Sequence, residues 1–319
     1  MPYQTVGFES DAKIYKKVIN ELYPNYNTII VDSDRSTPSE HDSIHIYISN
    51  VDKKWFPYSD IKMLMINHEL FFQSERDKDL ARYSEIDYVL CRTQIGYDWA
   101  MKIKLEQGFK YSLVLTKFTT IFPSLNIQKD QNLILHSAGE HHWKQTDSII
   151  KAWQKYPDLP LLILTCTGQC FRNVEPILKK GGYPKNIHFH KKLLEYNNFV
   201  NLKNKAGIHL CPSIVEGYGH YINESRKVKS LVITTNFAPM NELIDDTCGI
   251  LINCSSYGNK KNGTILCFVN EDDIYDAVKK ALNLPIDVRE MLVNKAYERY
   301  ENDTNEFKNS MKKLIGNNE

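Results

Sequence analysis

Short runs of β-branched and apolar residues recur along this 319-residue chain, most of them followed by a polar turn and a helical pattern. That alternation restricts the fold more than any other feature. Strands and helices alternating at this spacing pack as parallel sheets with helices on both faces. In the first part, residues 27–31, 43–49, 61–66, 86–91 and 111–115 read as strands, and 11–22 and 96–107 as amphipathic helices. The segment 119–131 is polar, contains Pro123 and has no helical period, so it reads as a linker. A second block follows, with strands at 133–136, 160–165, 187–190, 206–210, 231–235 and 249–252. Helices at 146–153, 174–180 and 195–205 lie between them, the second ended by Gly181-Gly182. The predicted class is α/β: two doubly wound, Rossmann-like domains facing a central cleft. Residues 1–125 form the N-terminal domain, 130–285 the C-terminal domain, and 286–319 a helical region expected to pack back on the first. Ligands of such sheets sit off the carboxyl ends of the strands.

The bulk numbers exclude several classes of partner. At 42% hydrophobic and 25% charged residues, the chain has the composition of a soluble globular protein. A net charge of +1 supplies no long-range field toward nucleic acid or membrane. No apolar run approaches the ~20 residues of a spanning helix, so no transmembrane segment is expected. The first residues, MPYQTVGFESDAKIYKK, lack the apolar core of a signal peptide. The seven cysteines show no paired metal spacing. Together these predict a cytoplasmic protein with reduced, structural thiols.

The densest chemistry lies in Cys211-Pro212-Ser213-Ile214-Val215-Glu216-Gly217-Tyr218-Gly219-His220-Tyr221-Ile222-Asn223-Glu224-Ser225. An apolar run precedes it, so the order is strand, loop with Gly217 and Gly219, then helix. Such a junction aims backbone N–H groups and the positive helix end at an anion, usually a phosphate. Glu216 and Glu224 do not suit phosphate. A carboxylate there accepts hydrogen bonds from hydroxyls, as a ribose or a sugar offers. Lys144, in the loop between the first strand and first helix of the second block, supplies a positive charge for a diphosphate. Hydrogen bonds to such a charged partner contribute ~1.5–3 kcal/mol each. Alone, each of these residues reads as a solvated surface charge; in combination they define a nucleotide-sugar site.

Two further features are weaker. His68 follows the strand 61–66, at the end expected to face the cleft, and is a candidate contact to the donor sugar or the acceptor; a histidine bonded to its own loop fits as well. Asp32-Ser33-Asp34 spells a D-x-D pattern that can hold a divalent cation, but Asp and Ser after a strand are ordinary turn residues. No metal site is assigned.

The stretch from Glu216 to Ser225, followed by RKVKSLVITTNFAPMNELIDDTCGILI, resembles the signature region of group 1 glycosyltransferases (glycosyltransferase family four), which have the GT-B fold. Upstream, Lys144 to Trp153 is similar to that family's K-G-x-x-x-L-x-x-A-[FW] segment. The resemblance covers about residues 130 to 280. It implies that Glu216 contacts the donor sugar, Glu224 the ribose, and the amides of Gly219, His220 and Tyr221 the sugar hydroxyls or phosphate, with Gly217 and Tyr218 in the same loop. It implies that Lys144 binds the diphosphate. Gly139 stands where the family usually carries a second basic residue, an arginine; either His141, His142 or a basic residue elsewhere replaces it, or diphosphate binding is weaker. The segment 189–193, ending at Leu193, falls where the base lies against backbone. Glu242 matches a further family position and is read as structural. The implied activity is transfer of a hexose from a UDP- or GDP-linked sugar to a glycan, protein or small-molecule acceptor. Retention of configuration is implied, with no cofactor beyond the nucleotide sugar and no metal. Two alternatives stay open: a GT-B nucleotide-sugar epimerase, and a nucleotide-sugar binding protein without catalysis.

Overall fold

The computed structural model describes residues 5–69, 83–260 and 263–316. They fall into two compact units. One takes the chain up to Thr119 and again from Asn302; the other runs from Thr120 to Glu301.

The first unit contains α1 (Thr5–Leu22), β1 (Asp42–Ile48), β2 (Ser59–Met65), β3 (Tyr88–Cys91), α2 (Gln94–Gln107) and β4 (Ser112–Leu115). Among the described residues its sheet is parallel, in the order β1-β2-β3-β4. Local chemistry sets the bounds of α2. The Thr93 side chain accepts from Gly96 N at the start, and Gly108, at φ 69°, ends it in the left-handed conformation. Its apolar side, with Ala100 and Ile103, packs on Leu64, Val89 and Tyr111. On α1, Tyr15 meets the rings of Phe118 and Phe307 at centroid distances of 5.5 and 5.3 Å. A buried ion pair, Arg92–Asp11 at 2.7 Å, ties α1 to the end of β3.

One predicted strand is absent. Residues 27–31 are irregular, and Ile29 is 60% exposed, with Ile30 and Val31 exposed beside it. A β-branched run satisfies the local preference for strand, but a strand persists only where a neighbour completes its ladder and covers its face.

The second unit contains β5 (Asp130–Gly139), α3 (Thr146–Lys155), β6 (Leu162–Cys166), α4 (Gly168–Gly181), β7 (Ile187–His190), α5 (Tyr196–Lys205) and β8 (Ala206–Cys211). It continues through α6 (His220–Lys227), β9 (Leu231–Thr235), α7 (Met240–Leu243), β10 (Ile250–Ile252), β11 (Ser256–Asn259), β12 (Ile265–Phe268) and α8 (Glu271–Leu282). The last helix, α9 (Ile286–Gly316), passes into the first unit at Asn302. The sheet order is β10-β9-β8-β5-β6-β7, all parallel. The chain steps outward from β5 to β7, then returns to the other side of β5. That reversal leaves the carboxyl ends of β5 and β8 adjacent while the loops leaving them diverge. Gly207 permits the close pairing, since a Cβ there would lie 2.6 Å from Asp130 O and from Gln131 Cα. Ile149, Ile150 and Trp153 of α3 enter a core with Ile134, Leu164, Ile208 and Ile233.

The hairpin β11–β12 is not apparent in the sequence pattern. It also corrects the expectation of reduced thiols: Cys254 and Cys267 are joined as a disulfide, Cα–Cα 5.5 Å. Cys254 lies just before β11, and Cys267 lies in β12 opposite Tyr257. Cys91, Cys166, Cys170, Cys211 and Cys248 are free and buried. No described helix is long and apolar enough to cross a membrane.

Candidate functional site

The loops leaving β5 and β8 are stitched together by neutral hydrogen bonds. Ile214 N donates to Trp143 O at 2.8 Å, and Cys267 N donates to Ile214 O at 3.0 Å. The buried Gln145 side chain accepts from Val269 N at 2.8 Å and donates to Cys267 O at 3.4 Å. Beneath them, His136 Nδ1 is 2.7 Å from Leu210 O and Nε2 is 2.9 Å from Thr146 Oγ1. A carbonyl only accepts, so Nδ1 carries the proton and Nε2 accepts from the threonine. Burial pushes this imidazole down to about 4, so it is neutral at pH 7.

On this frame Lys144 and Glu216 meet. The Lys144 ammonium contacts Glu216 Oε1, and Ser213 Oγ donates to the same oxygen. With its proton committed there, Ser213 accepts from Tyr221 OH at 2.5 Å. Burial, then the neighbouring Cys211 and Glu216, hold the Tyr221 phenol well above its ordinary value, so it stays a neutral donor. Lys144 Nζ lies 3.8 Å from the centre of the Tyr221 ring, a close cation–π contact. His141 precedes them in the β5 loop. Burial, and then the charge of Lys144, push its imidazole below the usual histidine value.

Gly217, Tyr218 and Gly219 are buried in the loop leading into α6. Gly219, at φ 104°, is the N-cap; a side chain at that angle would be strained and would meet Leu243 Cδ1 at 3.1 Å. His220 and Tyr221 form the first turn, whose amides carry the positive end of the helix. Glu224 follows one turn later and pairs with Lys203 of α5. Gly139 ends β5 at φ 60°, and a Cβ there would meet nothing within 4 Å.

The second unit thus gathers Lys144, Glu216, Tyr221 and Glu224 with the glycine loop. Leu193 lies between β7 and α5 and is 91% exposed. His68 belongs to the first unit, buried just beyond β2. Asp32 and Asp34 form a turn, with Asp34 N donating to Asp32 Oδ1 at 3.2 Å and Arg35 pairing with Asp32 at 3.4 Å. No group of three or more potential metal ligands occurs among the described residues. Sequence reasoning missed Ser213, Gln145 and Lys203. None of the three left a signal in the sequence pattern; burial of Lys203 with Val200 and Asn204 appears only in the folded α5.

A doubly wound second unit, with a lysine loop and a Glu-bearing glycine loop at its switch point, has the architecture of a GT-B half. The chain belongs to the group 1 glycosyltransferases, whose family model, described as "Glycosyl transferases group 1", matches residues 117–299. No curated protein sequence matches it. Solved structures establish the GT-B fold. The pneumococcal O-GlcNAc transferase GtfA, in complex with UDP and GlcNAc, is 15% identical at a TM-score of 0.58, over 86% of this chain and 56% of GtfA. Anabaena HepE, in complex with UDP-glucose, is 11% identical at a TM-score of 0.64, over 85% of this chain and 78% of HepE. Trehalose-6-phosphate synthase OtsA is 11% identical at a TM-score of 0.63, over 87% of this chain and 72% of OtsA. The chain thus spans little more than half the length of GtfA.

Proposed function

We propose that this chain moves a hexose from a nucleoside diphosphate sugar to a hydroxyl acceptor, with retention of configuration and without a metal. The observation that carries this reading is the meeting of Lys144 and Glu216 at the switch point of the second sheet, beside the start of α6. In this reading Lys144 and the first-turn amides of α6 stabilise the charge that develops on the departing diphosphate. An ammonium has three donors, so the pair with Glu216 does not exhaust Lys144. Glu216 accepts from sugar hydroxyls and Glu224 from the ribose. The backbone near Leu193 flanks the base. The first unit takes the acceptor, a glycan, protein or small molecule, with His68 as a contact to it or to the sugar. The lysine charge does the neutralising that a divalent ion does elsewhere. UDP is the first nucleotide to test, because the GtfA and HepE structures hold uridine nucleotides. A cytoplasmic location is part of the reading.

Thermal-shift titrations with UDP, GDP and their sugar conjugates, with and without EDTA, test this. A ligand at 100 times its dissociation constant adds ~2.7 kcal/mol of stability. An EDTA-insensitive shift supports the site; no shift with any nucleotide removes it. One observation favours a second reading, a binding protein without turnover. Gly139 leaves no side chain where the resemblance implies a second cation. Nucleotide binding with no nucleoside diphosphate released across a broad acceptor screen would select that reading.

A further inference from the structure

Glu224 does not stand alone on α6. Lys203 reaches it from α5, and its ammonium contacts Glu224 Oε2. The lysine side chain is fully buried, at 0% exposure, while Glu224 retains 21%. A buried ammonium is costly unless paired, and removing one partner of such a pair is strongly destabilising. Two aromatic faces complete its surroundings. Lys203 Nζ lies 5.1 Å from the centre of the Phe122 ring and 5.5 Å from that of Phe199.

The backbones around the pair are tied as well. His209, buried in β8, donates from Nε2 to Lys203 O at 3.0 Å, and its Nδ1 lies 2.5 Å from Ser225 Oγ. Ser225 is the residue after Glu224. One imidazole therefore links the main chain of the lysine to the neighbour of the glutamate. The lysine lies entirely on the protein side of the pair, and the glutamate is the member that reaches the surface.

We propose that Lys203 is a positioning residue for the donor nucleotide, fixing the Glu224 carboxylate in one rotamer so that Oε1 accepts from the ribose hydroxyls. This rests on the reading of Glu224 as the ribose contact. A carboxylate oxygen paired with an ammonium keeps its second lone pair, and the other oxygen keeps both, so the pair does not exhaust Glu224. Pre-organisation strengthens binding by removing the cost of ordering the side chain. Without Lys203 the carboxylate is free to turn toward water, and the ribose loses its oriented acceptor.

The test compares UDP with 2′-deoxy-UDP by calorimetry on the full chain, or GDP with 2′-deoxy-GDP if only guanine nucleotides bind. Wild type should prefer the ribose form by about tenfold or more, as expected for a hydrogen bond to a charged acceptor. Glu224→Gln and Lys203→Met should each cut that preference to about threefold or less, with circular dichroism unchanged. A lysine that merely holds α5 and α6 together would weaken both nucleotides equally. A wild-type preference ratio in Lys203→Met therefore overturns the proposal while leaving the Glu224 reading intact. A wild type without ribose preference, or a Glu224→Gln variant that keeps it, overturns the Glu224 reading and the proposal with it. Should Lys203→Met fail to fold, Lys203→Gln serves, since its side chain ends one atom short of Lys203 Nζ and so removes the contact with Glu224. A wild-type ratio there is equally fatal.

Discussion

Lys144 and Glu216, 72 residues apart in sequence, form an ion pair that Tyr221 reaches through the Ser213 hydroxyl. The pair is mostly withdrawn from water, with side-chain exposures of 14% and 12%. Solvent and salt screen it less than a surface pair. Each partner holds the other in a defined orientation, and the cation–π contact with Tyr221 holds the lysine from a second direction.

Lys144→Met should lower kcat by about 10²–10³-fold, the range found when one charge-stabilising donor is removed. Glu216 keeps only Ser213 as a donor, so stability should fall by about 3 kcal/mol, as for a buried pair that loses one partner. Steady-state kinetics and thermal unfolding on the same preparation check both. A normal kcat would remove Lys144 from leaving-group stabilisation.

Gly207→Ala should destabilise the second unit by ~2–3 kcal/mol or more, the upper range for overpacking. The added Cβ would sit 2.6 Å from Asp130 O and Gln131 Cα, which are backbone atoms that cannot swing aside. Because β8 pairs with β5 there, nucleotide affinity should fall too. Urea unfolding followed by fluorescence measures the first effect, and a midpoint equal to wild type would contradict it.

Acidification should weaken the fold before the carboxylates titrate. Burial pushes His136 down from 6.5 to about 4, so between those values the unfolded chain binds a proton that the folded chain refuses. Stability is full above pH ~6.5 and declines as pH falls toward ~4, by ~3 kcal/mol in total for this one group. His209, pushed well below its ordinary value by burial and then by Lys203, acts in the same direction. Urea midpoints should already drop between pH 6.5 and 5. A flat profile over that interval would mean that the histidines are not held neutral.

Protein purified without reductant should show five reactive thiols of seven after denaturation, since only Cys254 and Cys267 are paired. Closing a loop of this size contributes ~3 kcal/mol in the chain-entropy model. Dithiothreitol should therefore lower the unfolding temperature of the second unit. Seven thiols, or a midpoint unmoved by reductant, would show the hairpin to be unlinked.

Where local chemistry decides an outcome, the chain was legible. The strands of the second unit appear as apolar runs, and Ile187–His190 and Leu231–Thr235 fall where the pattern sets them. The placement of Lys144 and Glu216 in the loops after β5 and β8, and of Glu224 on α6, was legible because a strand–loop–helix order follows from the local pattern. Residues 27–31 misled because β-branched composition describes a strand's preference and not its neighbour. The hairpin β11–β12 was hidden because Ser256–Asn259 is polar, and its pairing with Ile265–Phe268 is a matter of register.

By itself the sequence determined the alternation of strands and helices and the glycine positions that need left-handed or close-packed backbone. These depend on interactions within a few residues. Only the tertiary structure decided which residues act on one another. Lys203 reads as a surface lysine until the tertiary structure buries it against Glu224. Ser213 is one serine among many until its hydroxyl stands between Tyr221 and Glu216. The cause is physical: the strength of a charged or hydrogen-bonded contact depends on distance and on exclusion of water, and both are set when separate elements close on each other.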